Sequence, residues 1–132
     1  MYGVLLQDWT TVRLTGATNT VVQSEELWLD VDDYRDVIFW LEVKHYTTGG
    51  AGAVLGSYET APTKDEALFR SMSSFPLGVG SVPYLTKVLA EQNPSFPLST
   101  WLRWRLSIVG TPTTEWGASF RIFCSLNRAR VP

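Results

Sequence analysis

The sequence predicts an all-β fold: an antiparallel two-sheet β-sandwich, jelly-roll-like, with one short helical insert. Three observations carry this expectation. In Trp101-Leu102-Arg103-Trp104-Arg105-Leu106-Ser107-Ile108, the side chains Leu102, Trp104, Leu106 and Ile108 alternate with Trp101, Arg103, Arg105 and Ser107. A period of two marks a strand with one buried and one presented face. The same style recurs from Ser119 to Asn127, where Phe120 and Ile122 point inward and Arg121 and Phe123 outward. Gly, Pro, Asn and Asp punctuate the chain roughly every 8 to 15 residues, close to the rhythm of a sandwich. Six Trp, five Tyr and six Phe give an aromatic content that suits strands.

The elements follow in order. Thr10 to Leu14 reads as a short strand, closed by Gly16-Ala17-Thr18-Asn19. Val21-Val22 and Leu27 to Val31 are strand material, and Asp32 to Asp36 is a turn. Val37 to Lys44 is the strongest strand, and its near-continuous apolar run predicts a central position covered on both faces. Thr47 to Gly52 is a glycine-rich loop and Ala53 to Thr60 another strand. Ala61 to Glu66 turns the chain, and Asp65 to Met72 is expected to form one or two helical turns, with Thr63 and Glu66 as a capping box. Val82 to Ala90 is a strand, whereas Pro94 and Pro97 make Glu91 to Thr100 a loop. Trp101 to Val109 and Trp116 to Asn127 then pair as a hairpin through Gly110 to Thr114. That gives seven or eight strands and no linker, so residues 1–132 form a single β-sandwich domain.

At 132 residues the chain can bury roughly two thirds of its unfolded surface without a staple. The lone cysteine, Cys124, falls on the apolar parity of its strand and is expected to be a buried thiol. Met1 to Asp8 has no basic region and too short an apolar run for a signal peptide, and no stretch reaches transmembrane length. A net charge of −2 predicts neither a nucleic-acid nor a membrane partner. Eight of the eleven cations are Arg, the residue that holds planar, partly desolvated contacts best, so the composition leans towards interfaces.

Catalytic and metal-binding sets are weak. His45 is the only histidine, and no Gly-x-Ser-x-Gly elbow accompanies it. Thr48-Gly49-Gly50-Ala51-Gly52 lacks the Lys-Ser/Thr ending of a phosphate loop. Asp30, Asp32, Asp33 and Asp36 offer hard oxygen ligands, but the spacing is not that of a calcium loop, and Asp favours turns for its own reasons. No metal, cofactor or enzymatic activity is therefore expected. Sugar binding is the alternative, since Trp9, Trp28, Trp101 and Trp116 can supply flat platforms while Trp40 and Trp104 pack inward. The leading candidate is an interface made by Trp101, Arg103, Arg105, Arg121 and Phe123. If the last two strands pair, these form one outward strip of the composition found in interface hot spots.

Leu27 to Val37 (strand, Asp-rich turn, strand), Tyr58 to Asp65, Trp101 to Trp104 and Phe120 to Ile122 together resemble small jelly-roll proteins of tailed-phage structural gene clusters. They also resemble, more loosely, galactose-binding-type sandwiches. The resemblance spans Leu27 to Asn127. It implies a non-enzymatic virion component such as a capsid decoration protein or a tail or neck accessory. Its partners would be other virion subunits, in a homo-oligomer or lattice within the particle. No residue role transfers with it.

Overall fold

The computed structural model describes residues 2–15, 19–78, 83–89 and 97–128. Nine strands run through them: β1 (Tyr2–Leu14), β2 (Thr20–Val22), β3 (Leu29–Asp30), β4 (Tyr34–Thr47), β5 (Ala53–Ala61), β6 (Arg70–Pro76), β7 (Tyr84–Val88), β8 (Trp101–Val109) and β9 (Trp116–Arg128). Two single 3-10 turns, Glu25–Leu27 and Glu66–Leu68, are the helical elements among the described residues. One sheet has the order β1-β9-β4-β7; the other has β2-β8-β5-β6, with β3 also pairing to β8. All pairings are antiparallel.

The pairing is nested. β5 pairs with β6, β4 with β7, β2 and β3 with β8, and β1 with β9. The chain is thus one long hairpin rolled over into two sheets, which is the jelly roll. This corrects the expected hairpin between the last two strands. β8 and β9 lie in different sheets, so 110–115 is a crossing between layers. The buried Gly49 anchors that crossing: its carbonyl accepts from the Thr113 and Thr114 amides at 2.8 and 3.2 Å.

The core lies between the sheets. Val37, Phe39 and Leu41 of β4 meet Tyr58 of β5, and Phe120, Ile122, Cys124 and Leu126 of β9 lie beside Leu102, Trp104 and Leu106 of β8 in the same cluster. Two aromatic pairs bridge the layers: Phe39 stacks on Tyr58 at 3.6 Å, and Trp104 meets Phe120 edge-on at 5.0 Å. Cys124 is buried as expected, and burial pushes its thiol pKa well up.

Several expected elements shift. β1 begins at Tyr2 rather than Thr10, and the helical insert is a single 3-10 turn. Its cap is Asp65, whose carboxylate accepts the Ala67 amide at 3.0 Å, not Thr63. Strand β6 takes the rest of the expected helix. Leu27 belongs to a 3-10 turn rather than to a strand. β4 is interior to its sheet, but only one face is covered; Ile38 and Trp40 stay half-exposed on the other. The expected turn at residues 16–18 and loop residues 91–96 lie outside the described residues, as do Val82 and Ala90 at the ends of the expected strand.

Candidate interaction surface

The five expected interface residues divide between opposite sides of the sandwich. Trp101, Arg103 and Arg105 sit on β8, and Arg121 and Phe123 on β9 of the other sheet. No common strip exists, because the hairpin that would have joined them does not form.

Arg103 is not presented at all. It has the outward parity expected of it, yet it is only 2% exposed. A second small core of Trp28, Ala61 and Phe69 covers this end of the outer face, with Trp101 packed against it. The two 3-10 turns deliver Trp28 and Phe69 there, with ring centroids 4.8 Å apart. The Arg103 guanidinium lies 3.8 Å from the Phe69 ring centroid and 5.0 Å from that of Trp28. Its Nε donates to Glu59 at 2.9 Å, and Nη1 and Nη2 clasp Glu66 at 2.6 and 2.9 Å. Arg103 is an internal strut. Arg105 remains exposed beside Glu59 at 3.7 Å, and Trp101 carries the Lys64 ammonium 4.5 Å over its ring.

The other sheet presents a different face. Register places Leu5 opposite Phe123, Phe123 opposite Trp40, and Trp40 opposite Leu85. One apolar row therefore crosses all four strands on the outward parity. Leu85 is 50% exposed and Leu5 and Phe123 37% each. The outer face of an antiparallel sheet is ordinarily polar, so a continuous apolar row stands out there. Trp9, 36% exposed, extends it from an irregular stretch of β1. Arg121 lies between Trp9 and Phe123, 4.8 Å from each ring, and its guanidinium bonds Glu42 at 2.7 Å. Lys44 covers the Trp9 ring at 4.2 Å, and Lys87 flanks the row beyond Leu85, opposite Ile38.

Alternation along β9 pointed to Arg121 and Phe123. Leu5, Trp40 and Leu85 were missed because a row across strands is a property of register, which the sequence did not reveal. Trp40 is the correction among the tryptophans: it faces outward. Trp104 does pack inward. Of the expected sugar platforms, Trp28 and Trp116 are buried, leaving Trp9 and Trp101 accessible. His45 sits within β4, its Nδ1 3.0 Å from the Arg13 guanidinium. In the Asp-rich turn, Asp30 accepts the Asp32 amide at 3.1 Å and Asp32 accepts the Thr100 hydroxyl at 3.2 Å. Among the described residues, no group of three or more His, Cys, Asp or Glu is placed to hold a metal ion.

The chain matches no family model and no curated protein. Among solved structures, that of infectious bursal disease virus Gx strain is similar over 99% of this chain, with 10% identity and a TM-score of 0.42. This chain spans 33% of the length of that one. The nested strand order, not this distant likeness, carries the architecture.

Proposed function

We propose that this protein is a non-enzymatic structural subunit of a virus-like particle, held to neighbouring subunits by the outer face of the β1-β9-β4-β7 sheet. The observation that carries this is the in-register row Leu5–Phe123–Trp40–Leu85. Exposed apolar surface of this extent is costly in water and is relieved when a partner covers it. Arg121 beside Trp9 and Phe123 supplies the Arg/aromatic composition of hot spots. The jelly roll recurs in viral capsid and lectin domains, and the segments resembling phage structural proteins favour the first of these. A decoration or tail-accessory role follows from that resemblance.

Sugar binding draws on the same aromatics, Trp9, Trp40 and Phe123. The aliphatic ends of the row, Leu5 and Leu85, offer nothing to hydroxyl groups and favour a protein partner. The test is Phe123→Asp combined with Leu85→Asp, co-expressed with the other structural proteins of the particle. The expected result is a normally melting monomer whose incorporation falls by ten-fold or more, as loss of hot-spot contacts of ~2 kcal/mol each implies. Full incorporation of the folded double variant overturns the proposal. Unchanged incorporation together with lost retention on immobilised oligosaccharides supports the sugar alternative.

A further inference from the structure

The sandwich has a second apolar surface, on the side opposite the first, and the rims of the two differ in charge. The two 3-10 turns share a local pattern: a cap residue, Glu, one residue, Leu, then an aromatic. It reads Ser24-Glu25-Glu26-Leu27-Trp28 in one and Asp65-Glu66-Ala67-Leu68-Phe69 in the other. In both, the aromatic turns down to cover Arg103 and the leucine stays up, 50% exposed at Leu27 and 41% at Leu68. Each leucine follows carboxylates. Glu66 is neutralised by Arg103, but Glu25 and Glu26 are exposed and have no ion-pair partner among the described residues. Arg70, Lys64 and Arg105 nearby are directed to the Ala67 and Phe69 carbonyls, the Trp101 ring and Glu59 respectively.

The sheet face carries the opposite rim. Lys44 and Lys87 flank its row from two sides, and neither has an ion-pair partner among the described residues. Arg121 is matched by Glu42, and Asp36 lies at the far end of β4. An apolar row flanked by Lys44 and Lys87 thus sits on one side of the molecule, and on the other a pair of leucines whose Leu27 end carries the carboxylates Glu25 and Glu26, with the cations Lys64 and Arg70 at the Leu68 end.

We infer that the occupant of the sheet face is a second copy of this chain, presenting its Leu27/Leu68 cap. This rests on the proposed role of the sheet face as an intersubunit surface. Such a contact joins unlike surfaces, so it is heterologous and repeats: each bound pair keeps one free face and one free cap, and the assembly grows into a ring or a chain. The glutamates of the cap meet the lysines of the face, so association weakens as salt screens them.

Sedimentation velocity of the full chain at low salt tests this with two variants. The cap variant is Leu27→Asp with Leu68→Asp; the face variant is Leu85→Asp with Phe123→Asp. The expected result is growth of native protein into large species with concentration, and monomers for each variant alone. An equimolar mixture of the variants should stop at a dimer, since only one intact face and one intact cap remain per pair. If the cap variant associates as native protein does, the inference is overturned while the sheet face keeps its role. If the face variant associates like native protein, the inference is overturned as well, and its incorporation into particles separately decides whether the face has its proposed role. Native protein that stays monomeric at all concentrations overturns the inference alone, because incorporation into particles still tests the face. Should an Asp variant not fold, Glu25→Lys with Glu26→Lys replaces the cap variant. Its association should be lost and then regained on mixing with Lys44→Glu, Lys87→Glu protein; no recovery overturns the charge pairing.

Discussion

Arg103 and Glu66 face each other through a two-pronged hydrogen bond, Nη1 to Oε2 at 2.6 Å and Nη2 to Oε1 at 2.9 Å, although one is 2% exposed and the other 66%. The pair ties a surface turn to a buried guanidinium. Glu59, nearly as buried as Arg103, takes the remaining Nε–H at 2.9 Å. Removing the arginine would leave the buried Glu59 carboxylate only the exposed Arg105, 3.7 Å away, and would empty the space beneath Trp28 and Phe69.

Arg103→Ala is therefore expected to destabilise the fold by about 3–5 kcal/mol, the range for breaking a buried ion pair by deleting one partner. Arg103→Lys should recover little, because a point ammonium cannot reproduce the planar fork or the stacking on Phe69. Chemical denaturation of both variants checks this. A loss below about 1 kcal/mol for alanine, the level of a surface pair, would show that the strut is dispensable.

Acid should loosen the same turn. The hydrogen bonds from Arg103 hold the Glu66 carboxyl below the usual glutamate range, outweighing the partial desolvation that opposes them. A carboxylate with a depressed folded pKa contributes stability that is fully present above its unfolded value of about 4.3 and is lost as pH falls through the folded one. Native protein should thus melt higher than Glu66→Gln at neutral pH, and the gap should close on acidification below that value. A gap that stays constant to pH 3 would mean that the charge of Glu66 contributes nothing.

The strand most legible in the sequence is β8, whose predicted ends match the structure because its alternation is unbroken and turn residues bound it on both sides. β6 was illegible for a definite reason. Its partner register slips between Tyr58 and Glu59, which face Ser73 and Ser71 and leave Met72 as the extra residue. That bulge sets the buried Met72 and Phe75 three apart, a helical spacing. β1 hides likewise: shifts on either side of Gln7 break its alternation before Thr10. Alternation also set the outward parity of Arg103 correctly but not its burial, since Trp28 and Phe69 reach it from distant segments. A presented face in sequence is one pointing away from the main core, and other parts of the chain are free to cover it.

Gly117 should not tolerate a side chain. Its φ of +153° lies where L-residues are strained, and a Cβ there would overlap the Val12 carbonyl across the β1–β9 ladder. The neighbour is backbone and cannot swing away. Gly117→Ala is expected to cost on the order of 3 kcal/mol, combining backbone strain with overpacking. Thermal melting would read this as a large drop. A native midpoint would mean that the first and last strands can separate locally at no cost.

The Asp-rich segment from Asp30 to Asp36, a short turn between the end of β3 and the start of β4, should fold without calcium. Its carboxylates already serve the chain, Asp30 holding the Asp32 amide and Asp32 the Thr100 hydroxyl, so these side chains are engaged in shaping the turn rather than converging on an ion. A cation that bound only the folded state would raise its stability with concentration, by ~2.7 kcal/mol at a hundredfold excess over the dissociation constant. Melting with millimolar calcium and again with a chelator should give the same midpoint. A rise that the chelator reverses would show that the aspartates are ligands after all.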